Sequence, residues 1–200
     1  MKKDNTPKNF KALGKGVFPA KASFLLENPL RKLIKSPKLV AKRLLLNNDH
    51  NVLEIGAGSG YYSVEVAQKL KSGSLTLLDI QQEMLDINMQ KMKLLGLKNV
   101  SATTINAASL PYSSNQFDRI FMVTVLGELN EAALALAEMF RVMRPGALLS
   151  VSEQRTDPDF LNLKNVKELA KSTGFIFEKK YGWFWNYTAN FTKPKPKEAE

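Results

Sequence analysis

The sequence predicts an α/β protein: a mostly parallel sheet of seven strands with an antiparallel strand at its C-terminal end, and helices on both faces. Three observations lead there. A short apolar run, Val52-Leu53-Glu54-Ile55, breaks into Gly56, Gly58 and Gly60, and the stretch 61–70 that follows has helical spacing. From there to residue 152, short apolar runs alternate with helical segments, the rhythm of strand–helix units. Near the C-terminus, two strand-like runs are separated only by Gly182 and its neighbours. So short a link permits an antiparallel hairpin and no crossover.

In chain order, residues 1–15 are rich in Lys and Asn and lack periodicity. Three short helices are expected next, behind Pro19, at Asn28-Pro29 and at Ser36-Pro37; in the last two a capping residue precedes a proline in the first helical position. Residues 1–45 thus read as a basic helical segment, capping an open sheet edge or lying on a membrane surface. Residues 46–192 form the α/β domain. Its strands are expected at 52–55, 75–78, 99–105, 117–123, 147–152, 175–180 and 183–192. Helices are expected at 61–70, at 81–95 with a stop at Gly96, at 130–143 with a stop at Arg144-Pro145-Gly146, and at 166–172 with a stop at Gly174. The loop 106–114 contains Pro111, and the tail 193–200, KPKPKEAE, has a disordered composition.

Composition narrows the chemistry. The 200 residues suit one domain, and 44% apolar residues can fill a core. There is no cysteine, which removes disulfides, thiolate metal sites and cysteine nucleophiles. The single histidine, His50, precedes the first strand, on the wrong side of the sheet for chemistry, and one imidazole is too few ligands for zinc or non-haem iron. The strongly apolar run 120–126 is far too short to span a bilayer. No signal peptide is visible, so a cytoplasmic protein is expected. The net charge of +10 is uneven: residues 1–50 carry twelve Lys/Arg against three Asp/Glu, 51–163 nine against twelve, and 164–200 eight against four. Basic flanks steer toward anionic lipid, nucleic acid or an acidic substrate, or are simply solvated.

The glycine turn carries the chemistry. Glycine reaches backbone angles that a Cβ forbids and lets a ligand lie against the main chain, while the following helix points free amides at it. The dinucleotide fingerprint needs glycines at the first, third and sixth positions; here the sixth is Tyr61, and the third glycine comes one residue early at Gly60. Asp79 stands at the end of the second strand, 19 residues after Gly60, where a carboxylate can accept from both hydroxyls of a ribose. Ile80 would then flank an adenine ring.

The set VLEIGAGSG, LLDI, NAASLPYSSNQFD and RVMRPGALLSVSE resembles the class I S-adenosylmethionine-dependent methyltransferases. It is most similar to the small-molecule branch that includes the ubiquinone and menaquinone biosynthetic enzymes. The resemblance covers about residues 50–155, and the antiparallel last strand agrees with it. It implies a Rossmann-like fold and S-adenosyl-L-methionine as cofactor. It also implies that Glu54, Gly56, Ala57, Gly58 and Gly60 cradle the methionine part and that Asp79 binds the ribose. Asn106, beside Ala107, stands where the family has an aspartate that meets the adenine amino group; its side-chain oxygen can still accept. Val123 to Gly127 would floor the site. Tyr61, Tyr62 or Phe18 would line the sulfonium, or simply pack.

Methyl transfer from a sulfonium is an in-line displacement with a neutral leaving group, so a chain without a triad or a metal can perform it by holding both partners in a dry pocket. A hydroxyl or amine acceptor must lose a proton. Glu128, just past the fourth strand, is the candidate base or cation holder, against a plainer reading as a helix-terminal charge. The expected partner is a small or lipophilic methyl acceptor, with peripheral membrane contact through the basic segment. The alternatives are an RNA or protein methyltransferase, a binder without turnover, and a nicotinamide dehydrogenase. The Asn/Asp-Pro-Pro-aromatic signature of amino-group nucleic-acid methylases is missing after the fourth strand, where VTVLGEL stands.

Overall fold

The computed structural model describes residues 36–196. Among them are helices α1 (Pro37–Arg43), α2 (Ser63–Lys69), α3 (Gln82–Leu94), α4 (Ala132–Val142) and α5 (Leu163–Ser172). The strands are β1 (Asn51–Ile55), β2 (Ser74–Asp79), β3 (Val100–Thr104), β4 (Phe117–Val123), β5 (Met143–Gln154), β6 (Ile176–Trp183) and β7 (Asn186–Thr192). A 3-10 turn, Leu126–Glu128, follows β4. All seven strands join one sheet in the order β3-β2-β1-β4-β5-β7-β6. β1 to β5 pair in parallel, and β7 runs antiparallel to both β5 and β6. The strand order reverses between β1 and β4, which opens a crevice at their carboxyl ends.

Alternation along the strands sorts the helices onto two faces. Leu53 and Ile55 of β1, with Ile120 and Met122 of β4, pack under α4 and α5 against Leu136, Met139 and Val166. Val52, Leu75, Leu77 and Phe121 point the other way and meet Leu44 just past α1, Val66 of α2, and Leu85 and Met92 of α3. α1 is also tied by polar contacts. Arg119 of β4 donates to the carbonyls of Leu44 and Leu45 at 2.9 and 3.1 Å, and Arg43 donates to Thr188 Oγ1 of β7 at 2.8 Å.

Several boundaries differ from the sequence reading. β5 begins at Met143 rather than 147, because Arg144-Pro145-Gly146 is an irregularity inside the strand and not a stop. Met143 pairs with Phe117, the register then shifts, and pairing resumes at Leu148 with Arg119. The hairpin turn lies at residues 184–185 and not at Gly182. Gly182 sits within β6 at φ +83°, and Trp183 pairs across to Asn186. The tail's first residue, Lys193, continues the sheet edge: its N–H donates to Ala147 at 3.0 Å and its Nζ to Met143 O at 2.7 Å. Of the three N-terminal helices, the third is α1; the first two, and Phe18, lie outside the described residues, as do 197–200.

Candidate functional site

The carboxyl ends of β1, β2 and β4 converge on a cleft of about 1100 Å³, part of it open to solvent. The glycine turn forms one wall. It is held to the next strand by the N–H groups of Gly56 and Ala57, which donate to Leu78 O at 2.8 and 3.0 Å. Gly58 has φ +52°, and the space where a Cβ would stand is empty within 4 Å. Only a glycine holds that backbone without strain while leaving the space for a ligand. Ser59 lines the same cleft, and its buried Oγ has no hydrogen-bond partner. A buried hydroxyl without a partner is costly, and here it borders a space that a polar ligand can fill.

Asp79 faces this wall. Its Oδ2 accepts the Gly58 N–H at 2.8 Å and its Oδ1 accepts the Gln81 N–H at 3.0 Å. A carboxylate has about four acceptor sites, so both oxygens keep capacity for two further donors. Ile80 beside it is 52% exposed, an apolar side chain left on the cleft rim where a flat ring can lie. Glu54 is buried beneath the turn. Burial pushes its carboxyl up to about 8; Asp79 adds to the rise, and the Ser63 hydroxyl, donating to Oε2 at 2.5 Å, opposes it. At neutral pH burial therefore holds Glu54 largely protonated. A cationic group arriving there would draw the proton off.

The fourth wall comes from β4 and the turn after it. Val123, Thr124 and Val125 line the cleft, with Glu128 and Leu129 beyond. Thr124 has φ +55°, an outlier for a β-branched residue. It is held there by its N–H to Ser152 O at 2.8 Å and its Oγ1 to Val123 O at 2.7 Å. Half-buried Glu128 has its carboxyl pushed up to about 7, first by burial, then by Asp157, Asp159 and Asp79. Tyr61 and Tyr62, packed edge to face at 4.9 Å, close the near side.

The structure thus brings Glu54, Gly56, Ala57, Gly58, Asp79, Ile80, Ala107, Val123 and Glu128 to one cleft. Two expected residues stand apart. Gly60 is behind the turn: a Cβ there would fall 2.4 Å from Asn88 Oδ1, so its glycine makes room for that neighbouring side chain. Asn106 is exposed, and its Oδ1 accepts the Ala108 N–H at 2.9 Å. The oxygen expected to receive an adenine amino group thus also accepts within a local turn, with one lone pair left. His50 lies at the opposite end of the sheet, with Nδ1 accepting the Asn47 N–H at 3.1 Å.

Asn88 was not singled out from the sequence, and it organises the turn. Fully buried in α3, it donates to Gly58 O at 3.3 Å and to Ser63 Oγ at 3.0 Å. Ser63 passes the connection to Glu54. The available signal was an asparagine on the apolar stripe of α3, among Met84, Leu85 and Met92.

Residues 52–146 match the family described as a methyltransferase domain. The ubiquinone/menaquinone biosynthesis C-methyltransferase UbiE of Psychromonas ingrahamii is 34% identical over 113 residues, 56% of this chain and 45% of that protein. The demethylmenaquinone methyltransferase of Listeria welshimeri is 28% identical over 166 residues, 79% of this chain and 70% of that protein. The chain thus spans less than half the length of the UbiE relative. Among solved structures, a SAM-dependent methyltransferase from Aquifex aeolicus superposes with a TM-score of 0.82 at 24% identity, over 88% of this chain and all of that one. At that identity the likeness concerns the fold.

Proposed function

We propose that the chain is a class I S-adenosylmethionine-dependent methyltransferase, a reading supported by its match to a methyltransferase domain and its similarity to quinone methyltransferases, and that it methylates a small lipophilic acceptor by in-line displacement. The observation that carries the reading is the hydrogen bond from the Gly58 N–H to Asp79 Oδ2 at 2.8 Å in the cleft lining. It sets an open main-chain cradle beside a carboxylate with unused acceptor capacity. The family's cofactor, S-adenosyl-L-methionine, fits those groups: the empty space at Gly58 and the unpartnered Ser59 hydroxyl both want a polar ligand.

Asp79 would hold the ribose hydroxyls, Ile80 and Ala107 the adenine faces, and Glu54 with the turn the amino-acid end. When bound, the cofactor supplies an electrophilic methyl on a cationic sulfur and departs as a neutral thioether. The protein therefore has three tasks. Tyr61 and Tyr62 exclude water and present π faces to positive charge. Val123, Thr124 and Val125 fix the approach of the acceptor at near-attack distance. Glu128 takes the acceptor's proton; with its carboxyl near 7, it is poised for base work around neutral pH.

Relatives named for ubiquinone and menaquinone C-methylation direct the acceptor toward a lipophilic ring, as do the apolar cleft residues Leu129 and Met84. The test is transfer of tritiated methyl from the cofactor into a cell extract, fractionated afterwards. Label in the lipid fraction is expected. Label in RNA or protein would overturn the acceptor class. Intact cofactor binding with no label anywhere would make the protein a binder without turnover.

A further inference from the structure

The tip of the β6–β7 hairpin exposes three consecutive aromatic residues. Trp183 is 70%, Phe184 64% and Trp185 50% exposed. The two indoles stack with centroids 6.0 Å apart and planes 9° apart, and Phe184 sits edge-on to Trp185 at 4.5 Å. Three large aromatics on one solvated protrusion mark an interaction surface. Their position is specific. β7 is antiparallel to β5 and pairs Asn186 with Gln154, which carries the tip to the same end of the sheet as the cleft. The Arg155 N–H donates to Trp185 O at 2.7 Å, and two residues further on Asp157 lines the cleft.

The geometry points to this tip as a membrane-interface anchor that seats the cleft mouth on an anionic lipid surface. The inference rests on the lipophilic-acceptor reading for its purpose, because such an acceptor resides in the bilayer; its own observations are the tip and its charge. Trp is the side chain that prefers the boundary between headgroups and acyl chains, apolar in body with one polar N–H. The surrounding charge complements anionic headgroups. Lys179 and Lys180 are exposed on β6 and Arg155 is exposed beside the tip. The acidic side chains that line the cleft, Glu54, Asp79, Glu128 and Asp157, belong to its interior, and half-buried Asp159 stands beside Glu128. A second copy of the chain fits less well. Three partly covered rings offer on the order of 400 Å², about half of what each partner buries in a stable dimer.

The chain's only two tryptophans are both in the tip, so selectively excited tryptophan emission reports this element alone. The full-length protein is mixed with vesicles of phosphatidylcholine, with and without phosphatidylglycerol. A blue shift of emission is expected with the anionic vesicles, together with quenching by bromine-labelled acyl chains. Phe184→Ser keeps both reporters and is expected to weaken the shift. The triple variant Trp183→Ser, Phe184→Ser, Trp185→Ser, read by co-sedimentation, is expected to lose partitioning by at least about tenfold. Lys179→Glu with Lys180→Glu is expected to remove the preference for phosphatidylglycerol.

Vesicle binding with unshifted, unquenched emission would place the contact elsewhere and overturn the inference; so would no binding at all. Concentration-dependent dimerisation abolished by the triple variant would assign the tip to self-association and overturn it too. Calorimetry with S-adenosylhomocysteine on the same samples separates this from the cofactor reading. Retained affinity in the triple variant is the expected result. Vesicle binding by a wild type that ignores S-adenosylhomocysteine would uphold the anchor and sink only the cofactor assignment.

Discussion

Glu54 and Asp79 are two carboxyls on neighbouring strands with different environments. Asp79 accepts two backbone N–H bonds at the cleft edge; Glu54 is buried with one hydroxyl for company. Replacing Asp79 with Ala removes the acceptor proposed for both ribose hydroxyls and frees the Gly58 N–H. Charge-assisted bonds of this kind are worth about 1.5–3 kcal/mol, so S-adenosylhomocysteine affinity should fall at least about tenfold by calorimetry. Gly58→Val fills the cradle and forces a β-branched residue to φ +52°. It should abolish that binding while far-ultraviolet dichroism stays near that of the wild type.

The buried Glu54 also predicts a pH dependence with a definite sign. Its folded pKa of about 8 lies above the ordinary 4.5. Below 4.5 both folded and unfolded chains carry the proton and the group is neutral with respect to stability. As the pH rises, the unfolded chain releases its proton while the folded one keeps it, so stability falls across the window from 4.5 to about 8 and levels off above it. One proton sets a slope of up to about 1.4 kcal/mol per pH unit. Glu128 acts in the same direction up to about 7, weakened by solvent screening. Glu54→Gln should flatten the melting temperature against pH over this window; an unchanged slope would place the burden on other groups.

At the level of elements, the glycine turn was legible because Gly56, Gly58 and Gly60 follow an apolar strand, and Asp79 because it ends the next one. What the sequence did not show is the division of labour among the glycines. Gly60 is spaced like its neighbours, yet it faces Asn88, a contact between residues 28 positions apart that no local pattern encodes. The hairpin was legible from its short link, whereas its turn was misplaced. Gly182 reads as a turn residue, but its positive φ bends β6 and the reversal falls two residues later. β5 was shortened for the same reason: Pro145-Gly146 is punctuation in a helix or a turn, yet at a sheet bulge it is tolerated. Asn106 was read from its resemblance to a family motif, which fixes a backbone position and not the turn its side chain makes with Ala108.

α1 shows how an element at the chain's edge supports the body. Leu44 is fully buried and packs with α2 and β1 on one face of the sheet. Leu44→Ala should cost about 2–5 kcal/mol, read from urea unfolding. Since α1 contributes no residue to the cleft lining, S-adenosylhomocysteine affinity measured well below the melting temperature should stay within about twofold of the wild type.

For the whole molecule, the two-sided sheet explains why the site sits where it does. Helices α1–α3 cover one face and α4–α5 the other, so the uncovered backbone is at the strand ends. The reversal of strand order between β1 and β4 leaves that end open. No helix among the described residues is long and apolar enough to cross a membrane. The most direct check is a crystal structure of the full chain with S-adenosylhomocysteine. Density is expected along the glycine turn, with both ribose hydroxyls on the Asp79 carboxylate and the adenine against Ile80. Density in another part of the molecule, or a ribose that does not touch Asp79, would contradict the site described.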